Sequence, residues 1–245
     1  MRRWIGISLL IGTLSAACFP QSPWDQIRSK VGSAHSASPT NLTNDKIVAG
    51  LKEALTVSTR NAVASTGQPD GFLKNEAIKI LVPEKLRGLG NGMRLVGMGS
   101  QVDALEVGMN RAAEQATPAA KQIFIDAVKQ MTFNDARQIL SGGDTAATDY
   151  FKRQSSEHLI EAFAPIVHQD MENVGVVREY DRLMQNPMAA RVARTQNFDL
   201  DDYVVGKTVD GLFYVMAEEE KKIRKDPMAQ TTSLLREVFG QNHLR

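Results

Sequence analysis

The sequence is poor in cysteine, in charge of one sign and in long apolar runs, and each shortage closes off a class of protein. A single cysteine, Cys18, allows no internal disulfide. No staple is needed, because one domain of ~200 residues buries about 70% of its unfolded surface. Lys and Arg number 29 against 28 Asp and Glu, a formal net charge of +1. A near-neutral chain has no global pull toward nucleic acid or anionic lipid, so nucleic acid is not an expected partner. No apolar stretch approaches the ~20 residues that cross a bilayer as a helix. What remains, 42% apolar and 23% charged, is ordinary globular composition rather than disordered or fibrous.

The N-terminus has the three-part layout of a secretory signal peptide. Arg2 and Arg3 form a basic start, residues 4–14 are apolar but for Gly6, Ser8, Gly12 and Thr13, and Ser15, Ala16 and Ala17 are small. Loss of residues 1–17 removes Arg2 and Arg3 and takes the formal charge from +1 to −1. Leu14-Ser15-Ala16-Ala17-Cys18 resembles the lipobox of bacterial lipoproteins, although that pattern prefers a branched apolar residue where Ser15 stands. The resemblance implies an acylated Cys18 as the mature N-terminus. Ordinary cleavage at the same bond would leave a free thiol, which an oxidising compartment tolerates poorly. Phe19, rather than an aspartate, follows the cysteine, which in family terms favours the outer membrane; a soluble periplasmic protein is the alternative. Residues 18–42 hold Pro20, Pro23 and Pro39 among polar and small residues and read as a flexible, lipid-bearing tether.

From residue 43 a helical period dominates. Thr43 or Asn44 caps a helix with Ile47, Leu51 and Leu55 on one face, fading near Gly67. Gln68-Pro69-Asp70-Gly71 is a turn, and residues 77–82 are an extended connector closed by Pro83. Thr117-Pro118 reads as an N-cap and first helical residue, ahead of a stripe of Ala120, Ile123, Phe124, Ala127, Val128 and Met131. Thr132 and Asp135 have the spacing of a capping box for a helix that buries Ala136, Ile139 and Leu140. Gly142-Gly143 is expected to end that helix through a left-handed glycine. Asp144 is expected to cap a helix with Ala147, Tyr150 and Phe151 inward, followed by a longer one carrying Leu159, Ile160, Phe163, Ile166 and Val167, bent at Pro165. Val209, Leu212, Phe213, Met216 and Ile223 line another helix, with Glu218–Lys222 and Glu220–Arg224 pairs on its outer face. A last short helix around Leu234, Leu235, Val238 and Phe239 ends at Gly240. The expected architecture is all-α: one multi-helix domain over residues 43–240, after a cleaved signal peptide at 1–17 and the tether at 18–42, with a tail at 241–245.

Motifs for chemistry fail on spacing. The glycines at 88, 90 and 92 fit neither GxGxxG nor a P-loop. His158 and His168 stand ten residues apart, without the i,i+4 step of a zinc helix. Asp199, Asp201 and Asp202 begin like a calcium loop, but Tyr203 and Val204 stand where a ligand and a glycine belong, so helix capping explains them better. No GxSxG elbow occurs. No metal or other cofactor is expected.

Several stretches together resemble the bacterial family catalogued as domain of unknown function 4197. They are Pro69-Asp70-Gly71-Phe72, Asn110-Arg111-Ala112-Ala113-Glu114, Met131-Thr132 with Asp135-Ala136, Ile139-Leu140 with Gly142, and Ala146-Ala147-Thr148 with Tyr150-Phe151. Asp210-Gly211-Leu212-Phe213, residues 217–221 and Thr231-Thr232 with Leu234-Leu235 complete the set. The resemblance spans residues 43–240, leaving 186–198 unplaced, and implies an exported helical domain of Gram-negative bacteria with no assigned activity and no catalytic residues.

Arg111 and Glu114 lie one turn apart on one helix face, and Asp135, Arg137, Asp144, Thr148, Tyr150, Lys152 and Arg153 gather in sequence around Gly142-Gly143. Arg111, Glu114, Asp135, Asp144 and Tyr150 are therefore the candidate binding residues, and Cys18 the lipid-attachment site. Such groups either line a cleft or form an ion-pair network that orders helices. Two function classes stay open. One is a non-enzymatic envelope module, held to the membrane by its lipid, that binds an envelope protein or an apolar ligand between helices. The other is a hydrolase of an envelope component using Glu114, Asp135 or Tyr150 as acid–base groups. Whether the protein is an enzyme stays undecided by sequence, with the non-enzymatic reading favoured.

Overall fold

The structure is a computed structural model. It describes residues 44–84, 99–173 and 199–225, with residues 91, 94, 175, 178, 180, 182, 184, 185, 187 and 191. All belong to one compact unit, Leu42–Arg245. The signal peptide, Cys18, the tether, the glycines at 88–92, the helix expected near Leu234 and the tail lie outside the described residues.

The fold is all-α: six α-helices and no strand among the described residues. They are α1 (Asn44–Thr66), α2 (Gly99–Ala116), α3 (Ala120–Gln130), α4 (Phe133–Ser141), α5 (Ala146–Asn173) and α6 (Leu200–Lys225), with a 3₁₀ turn at Thr117–Ala119. The long α5 packs against α2, α3, α4 and α6, and α1 covers α3, α4 and α6. Phe124 of α3 sits at their meeting point, 5.3 Å from the Phe151 ring edge-on and 6.1 Å from Phe213. All three rings are buried, each adding roughly 1.5–3 kcal/mol of apolar transfer free energy.

Local sequence explains several boundaries. Thr132 and Asp135 form the expected capping box, Thr132 Oγ1 accepting the Asp135 N–H and the Asp135 carboxylate accepting the Thr132 N–H at 3.0 Å. Asp199 caps α6 by accepting the N–H groups of Asp201 and Asp202, as the acidic spacing implied. Several expectations need correction. Thr117 is not an N-cap: its hydroxyl donates back to the Ala113 carbonyl, and α2 runs through the 3₁₀ turn into α3. Pro118 fits because a first-turn residue needs no N–H. Gly142 does not exit left-handed, since φ is −82° and ψ 179°. It is glycine because a Cβ there would meet Ala146 Cβ at 2.5 Å. The two helices expected between 146 and 167 are a single helix of 28 residues, uninterrupted at residues 152–157, where no glycine or proline intervenes. Ile160 is exposed rather than inward, and Glu218 pairs with Lys221 instead of Lys222.

The last correction concerns Asp144 and Glu220. Asp144 forms an ion pair with Lys225. The N-terminus of α5 is capped from a distance by Glu220, which was expected on an outer face but is buried. Its two carboxylate oxygens accept the N–H groups of Ala147 and Thr148 at 2.9 and 2.8 Å, and the Thr148 hydroxyl at 2.9 Å. Arg224, one turn on, bonds Glu220 and donates to the Ile139 carbonyl at the end of α4. One ion pair on α6 thus places an anion at one helix start and a cation at another helix end, where helix dipoles favour each.

Candidate functional site

Residues 67–84, which follow α1, are held by side chains, with no neighbouring strand among the described residues. Asp70 turns the chain with φ +69°, a left-handed conformation that aspartate tolerates better than most residues. Beyond it, Ile78, Ile80 and Val82 are buried while Lys79 and Leu81 face outward, the period-two pattern of extended backbone. Such a segment must satisfy its backbone polar groups. Asn110 of α2, fully buried, accepts the Ile80 N–H at 2.8 Å and donates to the Ile80 carbonyl at 2.8 Å, standing in for a neighbouring strand. Glu106, one helical turn back, accepts the Val82 N–H at 3.3 Å. Glu114, one turn ahead, accepts the N–H groups of Phe72 and Leu73 at 3.1 Å each. From Glu106 to Asn110 the register is geometric: four helical residues advance about 6 Å, and the two extended residues from Val82 to Ile80 about 6.6 Å.

The other edge of the segment faces α6. The Tyr203 hydroxyl donates to the Leu81 carbonyl at 3.0 Å. Gly211 lets the backbone close in, since a Cβ there would stand 2.6 Å from Phe72 Cε1 and 3.2 Å from Ile78 Cβ. Above this contact lies an open groove of about 660 Å³. The segment contributes Lys79, Leu81, Pro83 and Glu84 to it, and α6 contributes Tyr203, Lys207, Asp210 and Tyr214, so its two cations face two carboxylates. Leu81 and Tyr214, both lining the groove, are exposed at 45% and 48%, high for large apolar bodies. The Lys207 ammonium lies 5.9 Å from the Tyr203 ring. Lys79, Lys207 and Asp210 have no ion-pair partner among the described residues.

The candidate residues named from sequence lie elsewhere, each with its own partner. Arg111 bridges Glu114 at 2.6 Å and Asp70 at 2.7 Å, so the turn and the ladder on α2 are joined. Lys74 and Arg111 hold the Asp70 carboxyl below its usual range. Asp135 is lowered by the Thr132 hydroxyl and N–H. Asp144 is lowered by Lys225. The Tyr150 hydroxyl donates to the Ala127 carbonyl at 3.1 Å, and burial, then the charge of Asp135, pushes its phenol up. His158 is exposed, and His168 donates to or accepts from Asp201 at 2.6 Å, which raises its pKa. Among the described residues no cluster of His, Cys, Asp or Glu has a metal-binding arrangement. Arg137 and Lys152 lie over the rings of Phe133 and Phe213.

The reading from sequence missed Glu106, Lys79, Lys207, Tyr203 and Tyr214. A signal existed for the α6 set: positions 203, 207, 210 and 214 recur at steps of three and four on the face opposite the buried stripe. Nothing local marked Glu106, because its partner Val82 is 24 residues away.

Compared with known proteins, residues 41–240 match the family described as protein of unknown function (DUF4197). No curated protein and no solved structure matches the chain.

Proposed function

Because the chain belongs to the DUF4197 family, whose description assigns no activity, we propose its function from geometry: a non-enzymatic binding module that uses the groove between residues 77–84 and α6. One observation carries this reading. The groups suited to acid–base work are committed to holding the fold, whereas the groove gathers exposed apolar bodies with charges that lack ion-pair partners. A general acid or base needs a pKa near the working pH. Asp135 and Asp144 are moved below the carboxylate range, and Tyr150 above the usual phenol value. Glu114 accepts two backbone N–H groups and an arginine, which suits a structural carboxylate. The rival hydrolase reading relies on these same groups.

The signal-like N-terminus and the lipobox-like residues before Cys18 support an exported module anchored by acyl chains on the envelope side of a membrane, the outer membrane favoured over a soluble periplasmic state. No described helix is long and apolar enough to cross a membrane. The test is site-specific photocrosslinking in cells, with a benzophenone amino acid at position 214 or, as a control, at the exposed position 160. A discrete adduct from 214 and none from 160 is the expected result. Equal labelling from both positions, or none from 214, counts against the groove.

A further inference from the structure

The wall that α6 gives the groove is self-complementary about its midpoint. Tyr203, Lys207, Asp210 and Tyr214 follow one another at steps of four, three and four residues. At about 100° per residue the four fall within about 60° of one another around the axis, along about 16 Å of helix. A two-fold axis perpendicular to α6, midway between Lys207 and Asp210, sets a second α6 antiparallel to the first. Each Lys207 then lies level with the partner's Asp210, and each Tyr203 level with the partner's Tyr214. A patch that meets its own copy needs this matching of opposite signs. Lys207 and Asp210 are exposed and lie one turn apart, yet they form no ion pair with each other or with any other described residue. The exposed Tyr214 ring has no aromatic partner among the described residues. The same axis leaves the 77–84 segments of both copies on one side of the helix pair, so each exposed Leu81 flanks the seam. A partner of one charge sign would leave half of the charges lining the groove unmatched. At a formal net charge of +1, two copies of the chain repel each other little.

We propose, resting on the groove reading above, that the partner at the groove is a second copy of this chain. The two dock through antiparallel α6 helices, with Lys207 against the partner's Asp210 and Tyr203 beside the partner's Tyr214. The contact uses the same patch on both copies and closes on itself, so association stops at two.

The experiment is sedimentation equilibrium of the full chain in density-matched detergent, with micelles in excess of protein. Lys207→Asp and Asp210→Lys each set like charges against each other at both ends of the seam. Both residues are exposed, so the fold is retained, and circular dichroism checks it. The native chain should be a dimer, and each variant alone should dissociate at least about tenfold more readily. A mixture of the two variants sets opposite charges across the seam again and should recover the dimer, as should the double variant K207D/D210K. A monomeric native chain, a single variant that dimerises as tightly as the native chain, or a mixture that stays monomeric overturns the inference. Photocrosslinking from position 214 separates this outcome from that of the groove, the expected adduct having twice the mass of the chain. An adduct to another molecule, beside a monomeric chain, removes the second copy alone. No adduct from 214 removes the groove as well.

Discussion

Replacing Asn110 tests whether a side chain holds the extended segment in place of a strand. Asn110→Ala strips two partners from Ile80, a residue 1% exposed, leaving its N–H and C=O buried and unpaired. Each such group costs roughly 1–3 kcal/mol, so the loss for the two should be about 2–6 kcal/mol. The Glu106 carbonyl, also bonded by Asn110 at 2.7 Å, belongs to helix α2 and loses little. Against a total of ~5–15 kcal/mol for a typical domain, that shift is large. Asn110→Asp separates hydrogen bonding from packing. It is nearly the same shape, but it puts an oxygen where an amide nitrogen now stands 2.8 Å from the Ile80 carbonyl and 2.7 Å from that of Glu106. It should therefore destabilise at least as much as alanine. Urea unfolding followed by circular dichroism reads the midpoint shift, with an unchanged slope showing that stability and not compactness moved. Amide exchange at Ile80 should accelerate in both variants. An Asn110→Asp protein within about 0.5 kcal/mol of native would refute the argument, since surface-like substitutions fall in that range.

Gly211→Ala should cost about 1–3 kcal/mol by overpacking against Phe72, whereas Gly206→Ala, with nothing within 4 Å, should gain up to about 1 kcal/mol; equal effects in denaturant melts would contradict the close approach. Glu220→Ala takes the carboxylate from the largely buried Arg224 and uncaps α5, so a loss of about 3–5 kcal/mol is expected, against little for the half-exposed Glu218→Ala. His168 has its pKa raised chiefly by the Asp201 hydrogen bond, then by the charges of Asp201 and Glu172. Its contribution is thus complete below the unfolded-state value of about 6.5 and fades as pH rises through the higher folded value, so the midpoint gap between native and His168→Gln should be widest near pH 5 and close by about pH 9. A gap that widens with pH would reverse the sign. For the anchor, intact-mass analysis should find acyl chains on Cys18 of the native protein, and Cys18→Ala should leave the membrane fraction; a native mass without them leaves a soluble protein.

Helical class, most core positions and two of the caps were legible in the sequence because they depend on neighbours within one or two turns. The period of Phe124, Ala127 and Val128, the Thr132–Asp135 box and the Asp199 cap are all such cases. The turn at Asp70 and the extended run closed by Pro83 were legible for the same reason. Tertiary structure decided the rest, because the partners lie far apart along the chain. Glu220 reads as one member of a solvated acidic run until folding sets it 72 and 73 residues back, on the start of α5. Asn110 is merely polar until Ile80 reaches it, and no local pattern marks a side chain that replaces a strand. The groove likewise depends on three elements meeting. The stripe from Tyr203 to Tyr214 becomes one wall only because Gly211 admits Phe72 and Ile78, and because α2 holds the facing segment at the right height.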